Sequence, residues 1–428
     1  MILSAPETSA SEQGQPLRRA PRLPPATPLG ARLPGLPLLL ALAYVPAGVA
    51  GAAAQRLDVT AQSVLALTHA DPIPGGESLT ELRIVQPWVM ARGTAGPAWL
   101  RVTLDGEGAT IANGELALGA FGEGYVDRRH PHTYAHELMA GASLSRFTVA
   151  AGKGFVPFGS DDPMSRPPLR YPVNHHLAQL LERAVLLGSG VVGPVELEAS
   201  IFNGDEPENP SQWPNWERFG DSWSLRATVR PSVPLELQGS YAFVTSPEHR
   251  PGGGSDQDKW SVSARWDTRG HGGGWYGLAE WAYSVETIGD FAYHSFLAEA
   301  ERPLGTIRAY ARLESTERPE EVRVSAFRTQ RPHTDNTIVG TTRWTMATVG
   351  AGRRFPLGAA GLSVEPVAEL WLGAVEEISG AVFDPESFYG TTTLWSVTVA
   401  VRVAWGAAAG HRMGRYGVLS GSHSTPSH

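Results

Sequence analysis

From Trp395 to Trp405 the chain alternates, with Val397, Val399, Val401, Val403 and Trp405 set between Ser396, Thr398, Ala400, Arg402 and Ala404. A period of two sends successive side chains to opposite faces, so the segment predicts a strand with one apolar and one polar face. The pattern recurs upstream. Val195, Leu197, Ala199 and Ile201 oppose Glu196, Glu198 and Ser200; Trp223, Leu225, Ala227 and Val229 oppose Ser224, Arg226, Thr228 and Arg230. Leu235, Leu237, Tyr241 and Phe243 oppose Glu236, Gln238 and Ser240, and comparable runs start at Trp260 and Ile307. Gly, Pro, Asp and Asn separate these segments, and counting them from Leu57 to Trp405 gives about 16 strands, within roughly 14 to 18. The polar faces are too charged for a dry core, and the apolar faces suit lipid. The predicted fold is therefore all-β: a closed antiparallel up-and-down transmembrane β-barrel with one short helix in a long loop.

Tryptophan placement separates this barrel from a soluble β-sandwich, which also alternates. Trp260 and Trp266 share a face, as do Trp275 and Trp281. Each pair spans about 20 Å at about 3.3 Å per residue, enough to put its members towards the two interfacial girdles of a tilted strand. In a soluble sandwich such indoles would have to be buried.

The N-terminus adds the compartment. Leu36 to Val45 is an apolar centre, Arg18, Arg19, Arg22 and Arg32 lie upstream, and Ala52, Ala53 and Ala54 offer a small-residue cleavage site. Pro34, Pro37 and Pro46 argue against a membrane anchor, so residues 1–54 are expected to be leader and signal peptide, 55–405 the barrel and 406–428 a C-terminal tail. Removing four arginines and two glutamates from the 35 basic and 43 acidic side chains leaves a net charge of about −10. Lys153 and Lys259 are the only lysines, and no basic block suggests nucleic acid. The absence of cysteine excludes disulfides and thiolate metal sites, and no apolar run is long enough for a spanning helix.

Two segments break the strand pattern, Gly122 to Glu137 and Phe155 to Arg183. In the second, Asn174 can cap a helix whose Leu177, Leu180, Leu181 and Ala184 fall at helical spacing. The junction that precedes it, AGKGFVPFG from Ala151 to Gly159, resembles the G-K-F-x-x-P-F-G junction of porins of the phosphate-selective O and P type, with Gly152, Lys153, Pro157, Phe158 and Gly159 carrying the likeness. The resemblance implies a bacterial outer-membrane barrel of about 16 strands, often trimeric, that passes small polar or anionic solutes; no cofactor is expected. Three departures stand beside it. Gly154 occupies the place of the first phenylalanine. Lysine is scarce while Glu196, Glu198, Glu236, Glu280, Glu314, Glu365 and Glu369 fall on lumen faces, which counts against phosphate selectivity. The chain also runs on from Gly406 to His428, past the aromatic residue where such barrels commonly stop.

Candidate chemistry follows from these placements. Loop 156–184 is expected to fold inward as a constriction carrying Asp161, Asp162, Arg166 and Arg170. Lumen arginines Arg226, Arg230, Arg265, Arg308, Arg312 and Arg402, set against glutamates of neighbouring strands, would impose a transverse field or simply keep a polar wall hydrated. His130, His132 and His136 share parity and, with Glu137, His175 and His176, offer either a nitrogen and oxygen metal site or hydrogen-bonded bracing of two loops. No Gly-x-Ser-x-Gly or His-Glu-x-x-His motif is present, so a non-enzymatic channel is expected, with a plugged or structural outer-membrane barrel as the alternative.

Overall fold

The computed structural model describes residues 56–73, 75–110, 132–173, 175–269, 274–288, 291–325, 328–329, 338–358, 361–379, 383–406 and 412–417, with side chains except at 175–176, 323–325 and 328–329. Residues 1–54, expected to be leader and signal peptide, lie outside them.

Strands follow one another along the chain as β1 Arg56–Asp71, β2 Leu79–Ala95, β3 Ala98–Asp105, β4 Ala135–Leu144, β5 Phe147–Gly154, β6 Arg183–Val192 and β7 Val195–Phe202. They continue as β8 Ser222–Ser232, β9 Leu235–Val244, β10 Gln257–Asp267, β11 Tyr276–Glu286, β12 Ala292–Leu304 and β13 Ile307–Glu321. A small hairpin, β14 Arg323–Ser325 with β15 Arg328–Thr329, precedes β16 Ile338–Gly352, and the brief β17 Phe355–Leu357 extends the same edge before β18 Leu362–Ser379 and β19 Thr393–Trp405. Each long strand pairs antiparallel with the next, and β1 also pairs with β19, giving a closed barrel of 16 strands. Among the described residues, closure leaves the barrel sheet no exposed edge, which is what a strand-built membrane span requires.

Side-chain alternation sets the register at closure. Leu65 lies opposite Val401 and Leu67 opposite Val399, all exposed on the outer face, while Val64 lies opposite Arg402, both buried. A slip of one residue would turn Arg402 towards lipid. The same division holds in β7, where Glu196, Glu198 and Ser200 are buried and Leu197, Ala199 and Ile201 exposed.

Short connections gather at one end and long ones at the other. Gly96 and Gly193 open tight turns with φ of +58°, a conformation that costs other residues strain. β3, β5 and β7 end at the opposite rim, where the long connections to β4, β6 and β8 begin, and in outer-membrane barrels that rim is the extracellular one. Near that end the outer face carries linked rings from β8 to β12: Trp223 to Tyr241 at 5.1 Å, Tyr241 to Trp260 at 5.4 Å, Trp260 to Tyr283 at 5.5 Å and Tyr283 to His294 at 4.3 Å. Exposed Trp266 and Trp275 lie towards the short-turn end, as two girdles require. Not every indole faces out. Trp344 and Trp371 are buried in an interior apolar cluster with Tyr389 and Val173.

One expected element is shorter than its pattern. The leucine spacing predicts a helix reaching Ala184, but the helix is a single turn, His175–Ala178, and β6 begins at Arg183 after Glu182 adopts a φ of +62°. Leu177 and Leu180 are buried on this inward segment, inside and just past that turn, so their burial did not require a helix.

Candidate permeation path

The loop between β5 and β6 lies inside the barrel and touches walls on opposite sides. Gln86 on β2 donates to the Leu169 carbonyl at 2.9 Å, Arg312 on β13 to the Arg170 carbonyl at 2.6 Å, and the Leu169 amide donates to Glu369 on β18 at 2.9 Å. The Val173 amide donates to Glu314 at 2.9 Å, and the Gly159 amide to Ser240 on β9 at 3.0 Å. Gly159 is required where the loop doubles back: its φ is +63°, and a Cβ there would stand 1.5 Å from the Ala178 carbonyl oxygen.

The four charges expected on this loop are buried and engaged. Asp161 binds Arg265 of β10 together with Arg412 and Arg415 of the tail. Burial alone would raise its pKa, but the three guanidinium groups hold it well below the usual carboxylate range. Asp162 accepts the Met164 amide at 2.8 Å and caps the short turn Pro163–Ser165. Arg166 lies 3.7 Å from Glu280 and 4.0 Å from Glu299, and donates to Ser160 at 2.6 Å. Arg170 donates to Ser396 at 2.6 Å and stands over the Trp371 ring at 5.0 Å. Chemically, then, Asp161, Arg166 and Arg170 anchor the loop to the wall, and Asp162 shapes the loop from within.

The lumen arginines are ordered by register. Arg226 lies opposite Glu198 on the next strand and donates to it at 2.7 Å; Arg312 lies opposite Glu299 and donates at 2.8 Å; Arg402 lies opposite Glu365 and donates at 3.2 Å. Arg308 bridges Glu301 at 2.6 Å and Glu365 at 2.9 Å, and Arg230 pairs with Glu236 at 3.0 Å.

The tail supplies what the sequence left undecided. Arg412 forks onto Asp161 with two bonds of 2.7 Å and onto Glu236 with two of 2.8 Å, joining loop to wall. Tyr416 stacks on Trp99 at 5.9 Å and accepts the Phe155 amide at 3.0 Å, and Arg226 donates to the Gly414 carbonyl at 3.2 Å. Residues 412–417 therefore sit in the barrel interior beside the loop. Gly154, the departure from the porin junction, has the Tyr416 hydroxyl 2.5 Å from where its Cβ would stand. A side chain at 154 and Tyr416 compete for that space.

The histidines divide differently from their parity. β4 begins only at Ala135, so His132 is not on a strand, and a register shift between Thr103 and Leu104 leaves consecutive His136 and Glu137 both buried. Glu137 accepts from Thr103 at 2.8 Å and lies 3.5 Å from Arg101. His136 bonds Glu182 at 2.8 Å, and Glu182 also accepts the Thr133 amide at 2.7 Å and the Thr133 hydroxyl at 2.9 Å. Burial would raise the Glu182 carboxyl, but the bond to His136 and the nearby cations bring it down to about 2. His132 instead meets Glu107 at 3.2 Å and Asp105 at 3.7 Å, two carboxylates not anticipated from sequence. Burial would lower its pKa, but these two carboxylates raise it well above the ordinary value. His130 and the side chains of His175 and His176 lie outside the described residues.

No family model and no curated protein matches the chain. Solved structures do. The anion-selective porin from Comamonas acidovorans is 11% identical and aligns over 82% of this chain and 99% of its own, with a TM-score of 0.51. The chain has a porin fold. OmpF of Salmonella typhi, 10% identical over 82% of this chain and 97% of its own, has a TM-score of 0.46. OprB of Pseudomonas putida, also 10% identical, aligns over 82% and 94% with a TM-score of 0.45. A closed 16-strand barrel with an apolar exterior is an outer-membrane architecture.

Proposed function

We propose that this chain is a non-enzymatic outer-membrane channel for passive diffusion of small polar or ionic solutes, with loop 156–184 as its constriction. The observation that carries the reading is the charged interior wall, on which register-matched Arg and Glu side chains are crossed by an inward loop bonded to several strands. A water-filled passage between low-dielectric walls concentrates the field of such side chains on a passing ion. The junction Ala151–Gly159 supports membership in the phosphate-selective O and P group, while the scarcity of lysine argues against phosphate as the solute. The same resemblance carries a trimeric assembly, which native mass spectrometry of the detergent-extracted protein tests. Planar-bilayer recordings under a salt gradient test the channel itself: discrete conductance steps with a measurable reversal potential are expected, and a silent, correctly folded protein refutes it.

A second reading is a barrel plugged at rest, and residues 412–417 favour it because they occupy the interior and clamp the loop. Removing residues 412–428 discriminates the two. A silent wild type that conducts after the truncation is a plugged barrel, and one that conducts in both forms is an open porin.

A further inference from the structure

Asp105, Glu107 and His132 play no part in the permeation reading, yet one donor atom from each lies within 4.8 Å of the others. His132 Nδ1 is 3.2 Å from Glu107 Oε2 and 3.7 Å from Asp105 Oδ2. The longer separation exceeds hydrogen-bond reach. Tetrahedral bonds of about 2.0–2.1 Å set ligand atoms roughly 3.3–3.4 Å apart, so both separations are close to those around one small cation.

The outer bonds are those of oriented ligands. Asp105 Oδ1 accepts the Glu107 amide at 2.6 Å, and Glu107 Oε1 accepts the Gln86 amide at 2.9 Å and the Tyr171 hydroxyl at 3.0 Å. One oxygen of each carboxylate is thereby fixed by the protein, and the other faces His132. Asp105 is 3% exposed, and its Oδ2 receives no hydrogen bond among the described residues. The ion pairs of both carboxylates are to His132 alone among those residues, so two buried carboxyl groups face a single imidazole. A divalent ion on a neutral imidazole would balance both.

We propose that Asp105, Glu107 and His132 form a site for a first-row divalent ion that accepts mixed nitrogen and oxygen ligands, with zinc as the probe. Because Tyr171 belongs to the inward loop and bonds Glu107, the ion would tie that loop to the end of β3.

Calorimetry with zinc on tag-free, detergent-extracted protein tests the site without reference to conductance. One saturable zinc per barrel is expected, weakened at least tenfold in His132→Gln and in Asp105→Asn and unchanged in His69→Gln, a histidine outside the trio. Absence of saturable binding in the wild type, or unaltered binding in variants that keep a heat-dependent gel shift, overturns the proposal and leaves the trio as a buried ion pair. If the variants fail to fold, zinc-edge X-ray absorption on wild type loaded with one equivalent decides. One histidine nitrogen with carboxylate oxygens supports the site, and two or more histidine nitrogens place the ion elsewhere and overturn it.

Discussion

At position 154 a single missing Cβ makes room for Tyr416. Its ideal position is 2.5 Å from the Tyr416 hydroxyl and 2.8 Å from Met139 Cγ, so Gly154→Leu should expel Tyr416 while β5 keeps its pairing. Limited trypsin digestion followed by mass spectrometry should then show cleavage after Arg412 and Arg415 that the wild type resists; equal resistance would mean that Tyr416 does not hold the tail. Glu182 gives a pH-dependent counterpart. Its folded pKa of about 2 lies below the ordinary 4.5, so its contribution is complete above about pH 4.5 and is lost as pH falls through about 2. The shift corresponds to roughly 3 kcal/mol at neutral pH. Glu182→Gln should therefore lower the unfolding temperature at pH 7 and leave it nearly unchanged near pH 2; an equal loss at both would show that charge is not involved. Such pairings were not legible in the sequence. Asp105 and Glu107 lie more than twenty residues from His132, and nothing periodic connects a strand end to a distant loop. An acidic residue two places beyond another at the close of an amphipathic strand was the one signal available.

Among the elements, β19 was legible because lipid and water impose opposite demands on alternate residues. Val399 sits mid-strand opposite Leu67 on the outer face, whereas Arg402 is buried against Glu365. Val399→Arg should cost about 2–4 kcal/mol near the bilayer midplane and impair assembly. Arg402→Ser leaves Glu365 paired with Arg308, so it should fold with a normal heat-dependent gel shift. Equal assembly defects would mean that the faces are assigned the wrong way round. The short helix in the long loop is present, but its leucine spacing overstated its length for the same physical reason that the strand patterns were reliable. Periodicity reports secondary structure only where one side of an element is wet. Residues 177–180 are buried throughout, so leucine spacing there carries no phase.

For the whole molecule, the loop and tail together set how much of the interior is left to water. Deleting Asp161 to Arg170 removes the segment that meets Arg265, Arg412 and Ser396, and should raise single-channel conductance in protein that still shows the heat shift. Arg166→Glu with Arg170→Glu should move the reversal potential towards cations, since both side chains lie within the lumen beside Glu280, Glu299 and Ser396. Unchanged conductance and reversal potential in folded variants would assign the constriction to other groups. The barrel itself was foreseeable from alternation, turn residues and aromatic placement. Docking of residues 412–417 in its interior was not, because whether a polar segment docks depends on cations meeting carboxylates that only the folded wall and loop bring together.

That dependence separates two sets of contacts. Residues 412–417 are held by Trp99 of β3, Glu236 of β9 and Asp161 of the inward loop, whereas the wall itself is completed where Ala61 pairs with Trp405. Closing the wall and filling it thus rest on different interactions, backbone pairing for the one and ion pairs with an aromatic stack for the other. Loss or modification of residues 412–417 would change how the interior is filled without rebuilding the wall.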